Sequence, residues 1–181
     1  MFKELNVLEP LFERPTKEFS VRELAKVVKI SPATASSKLR FLEKRGLLSY
    51  RKEHNLDLYK ADLTSDAFRD IKVYYNIRKI RESGIIEELN KFYLKPTIVL
   101  FGSMSFGLDT ETSDIDLLIL TANKEPFPKK EAFEEKLRRE IQIFAVKDMK
   151  ALRNEHLISN VLNGITLQGE LNWSKVIGSK E

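Results

Sequence analysis

The chain has 181 residues with no Cys and two His, which excludes disulfides, thiol catalysis and metal sites rich in cysteine or histidine. No apolar run resembles a signal peptide or is long enough to span a bilayer, so we expect a cytoplasmic protein without a membrane partner. The net charge of +4 is uneven, with +4 in residues 1–62, +2 in residues 63–95 and −2 in residues 96–181. The basic first part is where nucleic acid would bind, although an ordinary solvated surface would give the same balance.

Residues 1–62 are patterned as three short helices and a hairpin. Leucines at helical spacing predict the first helix over residues 3–13. Ser20 is the predicted N-cap of the second helix, and Ser31 that of a third helix that runs to Arg45. Two short helices separated by about three residues are typical of a helix-turn-helix.

The third predicted helix has an apolar side and a hydrophilic side that could enter the major groove of DNA. Small and hydroxylated side chains allow close approach to the groove, and Arg or Lys supplies contacts to bases and phosphates. Residues 47–52 and 57–63 follow as two predicted strands of a hairpin, which would form a wing. The residues predicted to contact DNA on this helix and hairpin are Thr34, Ser36, Ser37, Arg40, Lys44, Arg51 and His54.

A family pattern extends over about 45 residues of this segment. It comprises Val21-Arg22-Glu23-Leu24-Ala25, Ile30-Ser31-Pro32-Ala33-Thr34-Ala35-Ser36 and Leu42-Glu43-Lys44-Arg45-Gly46-Leu47-Leu48. In these residues the segment resembles the winged helix-turn-helix domains of archaeal and bacterial transcription regulators. The resemblance implies a domain over residues 1–62 with duplex DNA as its partner. A winged helix that serves only protein contacts or dimerisation is the alternative.

A connector over residues 63–83 is predicted to be one long helix, capped by Thr64 or Ser65. Its predicted apolar face consists of Phe68, Ile71, Tyr74, Tyr75 and Ile77. So broad an apolar face must pack on one of the domains or on a second copy of the chain. Residues 65–83 are therefore the predicted interface of a possible homodimer. A shorter helix is predicted over residues 85–94.

The C-terminal part begins with a buried strand and contains two closely spaced carboxylates. Residues 97–101 are a continuous apolar run that ends at Gly102-Ser103, a turn whose amides could bind a phosphate. Asp114 and Asp116 lead into a second apolar run, and on a strand residues two apart face the same way. Two such carboxylates repel unless a cation lies between them, and oxygen ligands of this kind suit Mg²⁺. The alternative is a pair of surface acids that cap helices.

The motif Gly102-Ser103-Met104-Ser105-Phe106-Gly107 followed by Ser113-Asp114-Ile115-Asp116-Leu117 resembles that of the polymerase-beta-type nucleotidyltransferases, especially their minimal members. The resemblance implies a short mixed sheet flanked by helices over residues 84–181, and an α+β fold for the whole chain. It implies that Gly102 and Ser103 hold a nucleoside triphosphate and that Asp114 and Asp116 hold Mg²⁺. The implied reaction transfers a nucleoside monophosphate to an acceptor hydroxyl.

Two positions depart from the family pattern. Phe106 stands where many members have a basic residue, and Gln142 occupies the strand position of the third carboxylate. An amide brings no negative charge and cannot accept the proton of an attacking hydroxyl. Glu140, two residues earlier on the same strand face, is the candidate substitute as a catalytic residue, or simply the last acid of a charged helix over residues 129–139. Two hypotheses stay open: a working nucleotidyltransferase, or a DNA-binding regulator whose degenerate domain only binds nucleotide or metal.

Overall fold

The computed structural model describes residues 7–152 and 154–171. The chain divides into two compact units, residues 1–72 and 73–181. Each unit combines helices with a sheet, which confirms the predicted α+β class for the described part of the chain. The predicted domain limits at residues 62 and 84 stay predictions. No helix among the described residues is both long and apolar enough to cross a membrane.

Over residues 7–72, the N-terminal unit combines helices with a three-stranded antiparallel sheet of order β1-β3-β2. Its elements are α1 (Glu9–Glu13), β1 (Phe19–Ser20), α2 (Val21–Val27), α3 (Pro32–Lys44), β2 (Leu48–Glu53) and β3 (Leu56–Ala61). Both predicted caps form, since Ser20 Oγ accepts from the Glu23 amide at 3.2 Å and Ser31 Oγ from the Thr34 amide at 3.1 Å. α3 ends before Gly46, whose φ of +69° suits glycine.

In this unit one predicted helix extends beyond the described residues, and one short strand is absent from the prediction. The helix predicted over residues 3–13 is helical at Glu9–Glu13, while residues 1–6 lie outside the described residues. β1 was not predicted, because a strand of two residues has no periodicity to detect. It is held in place by pairing across the sheet, with Phe19 opposite Tyr59.

Two consecutive helices follow, α4 (Asp66–Ser83) and α5 (Ile85–Tyr93), and the division between the units falls within α4. The predicted apolar face of α4 is correct at Phe68, which is fully buried, and only in part at Ile71, Tyr75 and Ile77, which are partly buried. The fully buried stripe is Phe68, Lys72, Asn76 and Ile80, spaced by four residues, whereas Tyr74 is 39% exposed. Hydrophobicity alone could not reveal this stripe, since two of its residues are polar and Asn76 is buried with hydrogen-bond partners. Whether residues 65–83 mediate a homodimer stays a prediction.

The C-terminal unit is built on a four-stranded mixed sheet of order β6-β5-β4-β7. Its strands are β4 (Thr97–Phe101), β5 (Ile115–Leu120), β6 (Ile141–Val146) and β7 (Ile165–Gln168), and its later helices are α6 (Lys130–Leu137) and α7 (Glu155–Leu162). β4 is antiparallel to β5 and β7, and β5 is parallel to β6. β4 is buried on both faces, because apolar clusters cover the two sides of the sheet.

Candidate functional site

The predicted phosphate turn lies at the end of β4, where the chain enters one turn of 3₁₀ helix over Ser103–Phe106. Gly102 makes the entry with a φ of +71°, and a Cβ built on it would overlap Oδ2 of Asp116. Only glycine fits both conditions. The Ser105 amide and hydroxyl fix the turn by donating to the Gly102 carbonyl at 3.1 and 2.8 Å. Ser103 stays half-buried at the surface of this turn.

The two predicted carboxylates enter the site from β5. In the antiparallel pairing of β4 with β5, Asp116 lies opposite Phe101, which brings it against Gly102. Asp114 immediately precedes β5 and lies two residues earlier on the same face of the sheet. Both aspartates are partly exposed. The sheet register therefore gathers the phosphate turn and both carboxylates at one end of the β4–β5 pair.

The electrostatics of Asp116 favour a bound cation. Burial raises the pKa of the Asp116 carboxyl, and the nearby charge of Asp114 raises it further. No hydrogen bond from a described residue to the Asp116 carboxylate offsets this cost. A divalent cation would remove the penalty by attracting both carboxylates, and hard oxygen ligands suit Mg²⁺. The two aspartates therefore fit two ligands of such an ion.

An amide, and not a carboxylate, occupies the strand position where the family pattern has its third carboxylate. Gln142 lies opposite Asp116 in the parallel register of β5 with β6, and its Nε2 donates to Asp114 Oδ2 at 2.6 Å. Glu140 is exposed just before β6 and lines a groove of about 420 Å³ together with Asp114. Within residues 7–152 and 154–171, no three His, Asp or Glu side chains are gathered as a metal-binding group. Glu140 thus shares the groove with Asp114 without completing a three-carboxylate site.

The residues that line the groove beside Asp114 are all polar or charged. The groove runs between the loop that precedes β5 and the turn that joins α6 to β6. Its lining residues are Glu111, Thr112, Ser113, Asp114, Arg138, Arg139 and Glu140. Such a groove suits a charged or hydroxyl-bearing ligand better than an apolar one.

Three polar residues near the site were missed by sequence reasoning. Asp109 is fully buried and pairs with Arg139, and Asn76 donates to the same aspartate. Asn76 lies 33 residues before Asp109 and Arg139 lies 30 residues after it, so no local motif connects the three. Among the described residues, they join α4, the loop before β5 and the turn before β6.

In the N-terminal unit, the residues predicted to contact DNA lie on α3 and around the hairpin turn. Thr34, Ser37, Arg40, Lys44, Arg51 and His54 are exposed, and Ser36 is half-buried. Arg51 is already paired, because Glu18 binds it at 2.6 Å and Glu53 at 2.8 Å. To reach a phosphate, Arg51 would have to leave these two carboxylates.

One comparison with known proteins matches a defined segment of the C-terminal unit. Residues 82–156 match the family model described as a nucleotidyltransferase domain, and this segment contains the phosphate turn and both aspartates. The match confirms the nucleotidyltransferase part of the predicted resemblance and supports nucleotidyl transfer as the general activity of this segment. No curated protein matches the chain.

Two solved structures share part of the chain. Reduced HlyU from Vibrio cholerae is 23% identical, with 50% of this chain and 82% of that chain covered and a TM-score of 0.33. A toxin-antitoxin crystallised with AMP-PNP is 27% identical, with 49% of this chain and 73% of that chain covered and a TM-score of 0.38. With TM-scores this low, neither likeness establishes a fold or a function for this chain.

Proposed function

We propose that residues 84–181 form a Mg²⁺-dependent nucleotidyltransferase domain that transfers a nucleoside monophosphate from a nucleoside triphosphate to an acceptor hydroxyl. The observation that carries the proposal is the contact between the Gly102 turn and Asp116. It places a backbone suited to phosphates against a carboxylate that lacks a hydrogen-bond partner among the described residues. The phosphates of a nucleoside triphosphate would bind the turn, and its divalent cation would bind the carboxylate.

In this proposal, each site residue has a separate task. Gly102 and Ser103 bind the triphosphate, while Asp114 and Asp116 hold the cation, which would stabilise the charge on the attacking and leaving oxygens. The acceptor oxygen forms a bond to the α-phosphorus as the bond to pyrophosphate breaks. Glu140, which lines the groove beside Asp114, would accept the proton of the acceptor hydroxyl.

A second function is favoured by the hydrogen bond from Gln142 to Asp114. The amide Nε2 donates to a carboxylate oxygen that would otherwise be free for a metal, and it adds no negative charge. A domain with such a site could bind nucleotide without transferring it. The alternative is therefore a regulator that uses nucleotide or metal only as a ligand.

We propose further that the N-terminal unit is a winged helix-turn-helix that binds duplex DNA. The order of its elements supports this, with α2 and α3 followed by the hairpin of β2 and β3. Arg40 and Lys44 of α3 are exposed and one helical turn apart, so both could contact the same stretch of DNA.

A transfer assay separates the two functions of the C-terminal unit. The full chain is incubated with Mg²⁺ and with candidate acceptors that include duplex DNA, RNA and protein. Parallel reactions use each nucleoside triphosphate labelled at either the α- or the γ-phosphate. Transfer of α-label but not of γ-label is expected, and Asp114→Asn should abolish it. Nucleotide binding without transfer to any acceptor would contradict the enzymatic proposal and favour the regulator.

Titration of duplex DNA at several salt concentrations tests the N-terminal proposal. Binding should weaken with salt, and the Arg40→Ala and Lys44→Ala variants should each lower the salt slope by about 0.9 if the lost contact is to a phosphate. Lys26→Ala on α2 is the matched control, since it removes an exposed charge outside α3. Failure to bind duplex DNA at about 50 mM salt would refute DNA binding by this unit.

A further inference from the structure

A buried polar network connects the phosphate turn with the loop that carries Asp114. Asn76 Nδ2 donates to the Met104 carbonyl at 3.1 Å and to Asp109 Oδ1 at 2.8 Å. The other carboxylate oxygen of Asp109 accepts from Arg139 Nη2 at 3.0 Å. Asp109 is fully buried, and the Arg139 side chain is only 7% exposed. Met104 follows Ser103 directly, so one end of this Asp109–Arg139 network lies in the phosphate turn.

The other end of the network fixes the start of β5. Arg139 Nη1 donates to the carbonyls of Thr110 and Ser113, at 2.7 and 2.8 Å. A planar guanidinium holds such acceptors in a fixed geometry, which a lysine ammonium cannot reproduce. The loop is also closed internally, because the Thr110 amide donates to Ser113 Oγ at 2.9 Å. Ser113 is the residue before Asp114, so the backbone that carries this carboxylate is held at its preceding peptide.

Arg139 is itself held by the C-terminal sheet. Its amide donates to the Glu134 carbonyl at 3.2 Å, at the end of α6. The next residue, Glu140, accepts from the Ile115 amide at 2.9 Å, which joins the starts of β5 and β6. The backbone of Arg139 is therefore held to α6 by its own amide, and the following residue is held to the start of β5.

We infer that Asn76, Asp109 and Arg139 are positioning residues that keep Asp114 aligned with the Gly102–Ser103 turn. The inference rests on the proposed binding of a nucleoside triphosphate with its divalent cation. A buried ion pair by itself is weak evidence for a stabilising role, because its desolvation offsets much of the attraction. Here the ion pair and Asn76 hold together the phosphate turn and the loop before Asp114, the two segments that would contact the same ligand. The three residues do not contact the ligand; they affect its binding only by positioning these two segments.

The test measures how tightly Mn²⁺ and a non-hydrolysable nucleoside triphosphate bind to the full chain by calorimetry. Arg139→Lys keeps the charge next to Asp109 but loses the fork that holds the two carbonyls. Loss of an outer partner of a metal site typically weakens binding by about 10-fold to 100-fold, and we expect a loss in this range. Asp109→Asn, which keeps the side-chain shape, is the second variant if Arg139→Lys does not fold.

Two controls distinguish positioning from general destabilisation. Leu89→Val removes buried volume from α5 without removing any hydrogen bond of the network, and should lower the thermal unfolding midpoint without weakening ligand binding. Hydrogen exchange over residues 109–116 should accelerate in Arg139→Lys and stay unchanged in Leu89→Val. Wild-type affinity in both network variants would overturn the positioning role alone. Absence of binding by the wild-type chain would overturn the proposed function and, with it, this inference.

Discussion

The two sides of the candidate site differ in what they offer a ligand. On the side formed by β4 and β5, Gly102 meets a carboxylate, Asp116, that has no hydrogen-bond partner among the described residues. On the side formed by β5 and β6, Gln142 already donates to the other carboxylate, Asp114. On the first side, a cation would be the first partner of the Asp116 carboxylate. On the second side, the Gln142 amide already occupies one oxygen of Asp114. This difference predicts that changes on the first side affect ligand binding most, whereas changes on the second side affect nucleotidyl transfer.

The largest expected effect is on the first side, at Asp116. Asp116→Asn should weaken binding of Mn²⁺ with a non-hydrolysable nucleoside triphosphate by more than about 100-fold, beyond the loss typical of an outer partner. The reason is that the amide keeps the shape and loses the charge that a cation needs. Calorimetric titration measures it, with Glu135→Gln as a control because it removes one exposed acid of the same unit. Equal affinity of the two variants would remove Asp116 from the site.

The second prediction concerns Gly102, whose contact with Asp116 defines the first side. Gly102→Ala should reduce nucleotide binding and stability, because the residue has a positive φ and its Cβ would overlap Asp116 Oδ2. Gly84→Ala is the matched control, since its φ of +84° imposes a similar conformational cost while nothing lies within 4 Å. Thermal unfolding and nucleotide titration should show a larger loss for Gly102→Ala. Equal stability losses with intact binding would mean that the turn can move away from the carboxylate.

The third prediction tests the second side. Gln142→Glu places a carboxylate at the strand position opposite Asp116 and should raise the rate of nucleotidyl transfer by about 10-fold or more. The carboxylate adds the negative charge that the amide lacks and a second base beside Glu140. Gln142→Ala should not raise the rate, because it removes the amide without adding charge. Transfer of α-labelled nucleotide measures both. A rate that falls in Gln142→Glu would show that the amide is itself part of the working site.

The smallest effect is on the stability of the ligand-free chain. The pKa of Asp116 is raised in the folded chain, which therefore binds more protons than the unfolded chain, and stability falls as the pH rises through this range. Asp116→Asn should thus raise the unfolding midpoint near neutral pH in the presence of a chelator. The gain should vanish below the ordinary Asp pKa of 3.8, where the carboxyl is protonated in both states. A lower midpoint for the variant at neutral pH would contradict the proposed electrostatic cost.

The sequence predicts local features of this chain far better than distant pairings. Ser20 and Ser31 are correct as helix caps because their partners lie three residues away. Gly102 and Asp116 belong to one short motif, whereas the antiparallel pairing of β4 with β5 that brings them together is seen only in the structure. The Asp109–Arg139 network escapes such reasoning because a buried charge is recognised only with its partner, about 30 residues away.

The buried side of α4 could not be predicted from the sequence for a related reason. Periodicity places apolar residues such as Tyr74 inside, but the described structure buries Asn76 instead and exposes Tyr74. The amide can be buried because the Met104 carbonyl and Asp109 accept its hydrogen bonds. These acceptors follow Asn76 by 28 and 33 residues, so tertiary contacts, and not the helix's own pattern, decide which side of α4 is buried.

The most direct test of the central claim is a crystal structure of the full chain with Mg²⁺ and a non-hydrolysable nucleoside triphosphate. We expect the phosphates at the Gly102–Ser103 turn, the cation bound by Asp114 and Asp116, and Gln142 displaced from Asp114. At saturating nucleotide, phosphates bound elsewhere, or a cation that contacts neither aspartate, would contradict the assignment of this site.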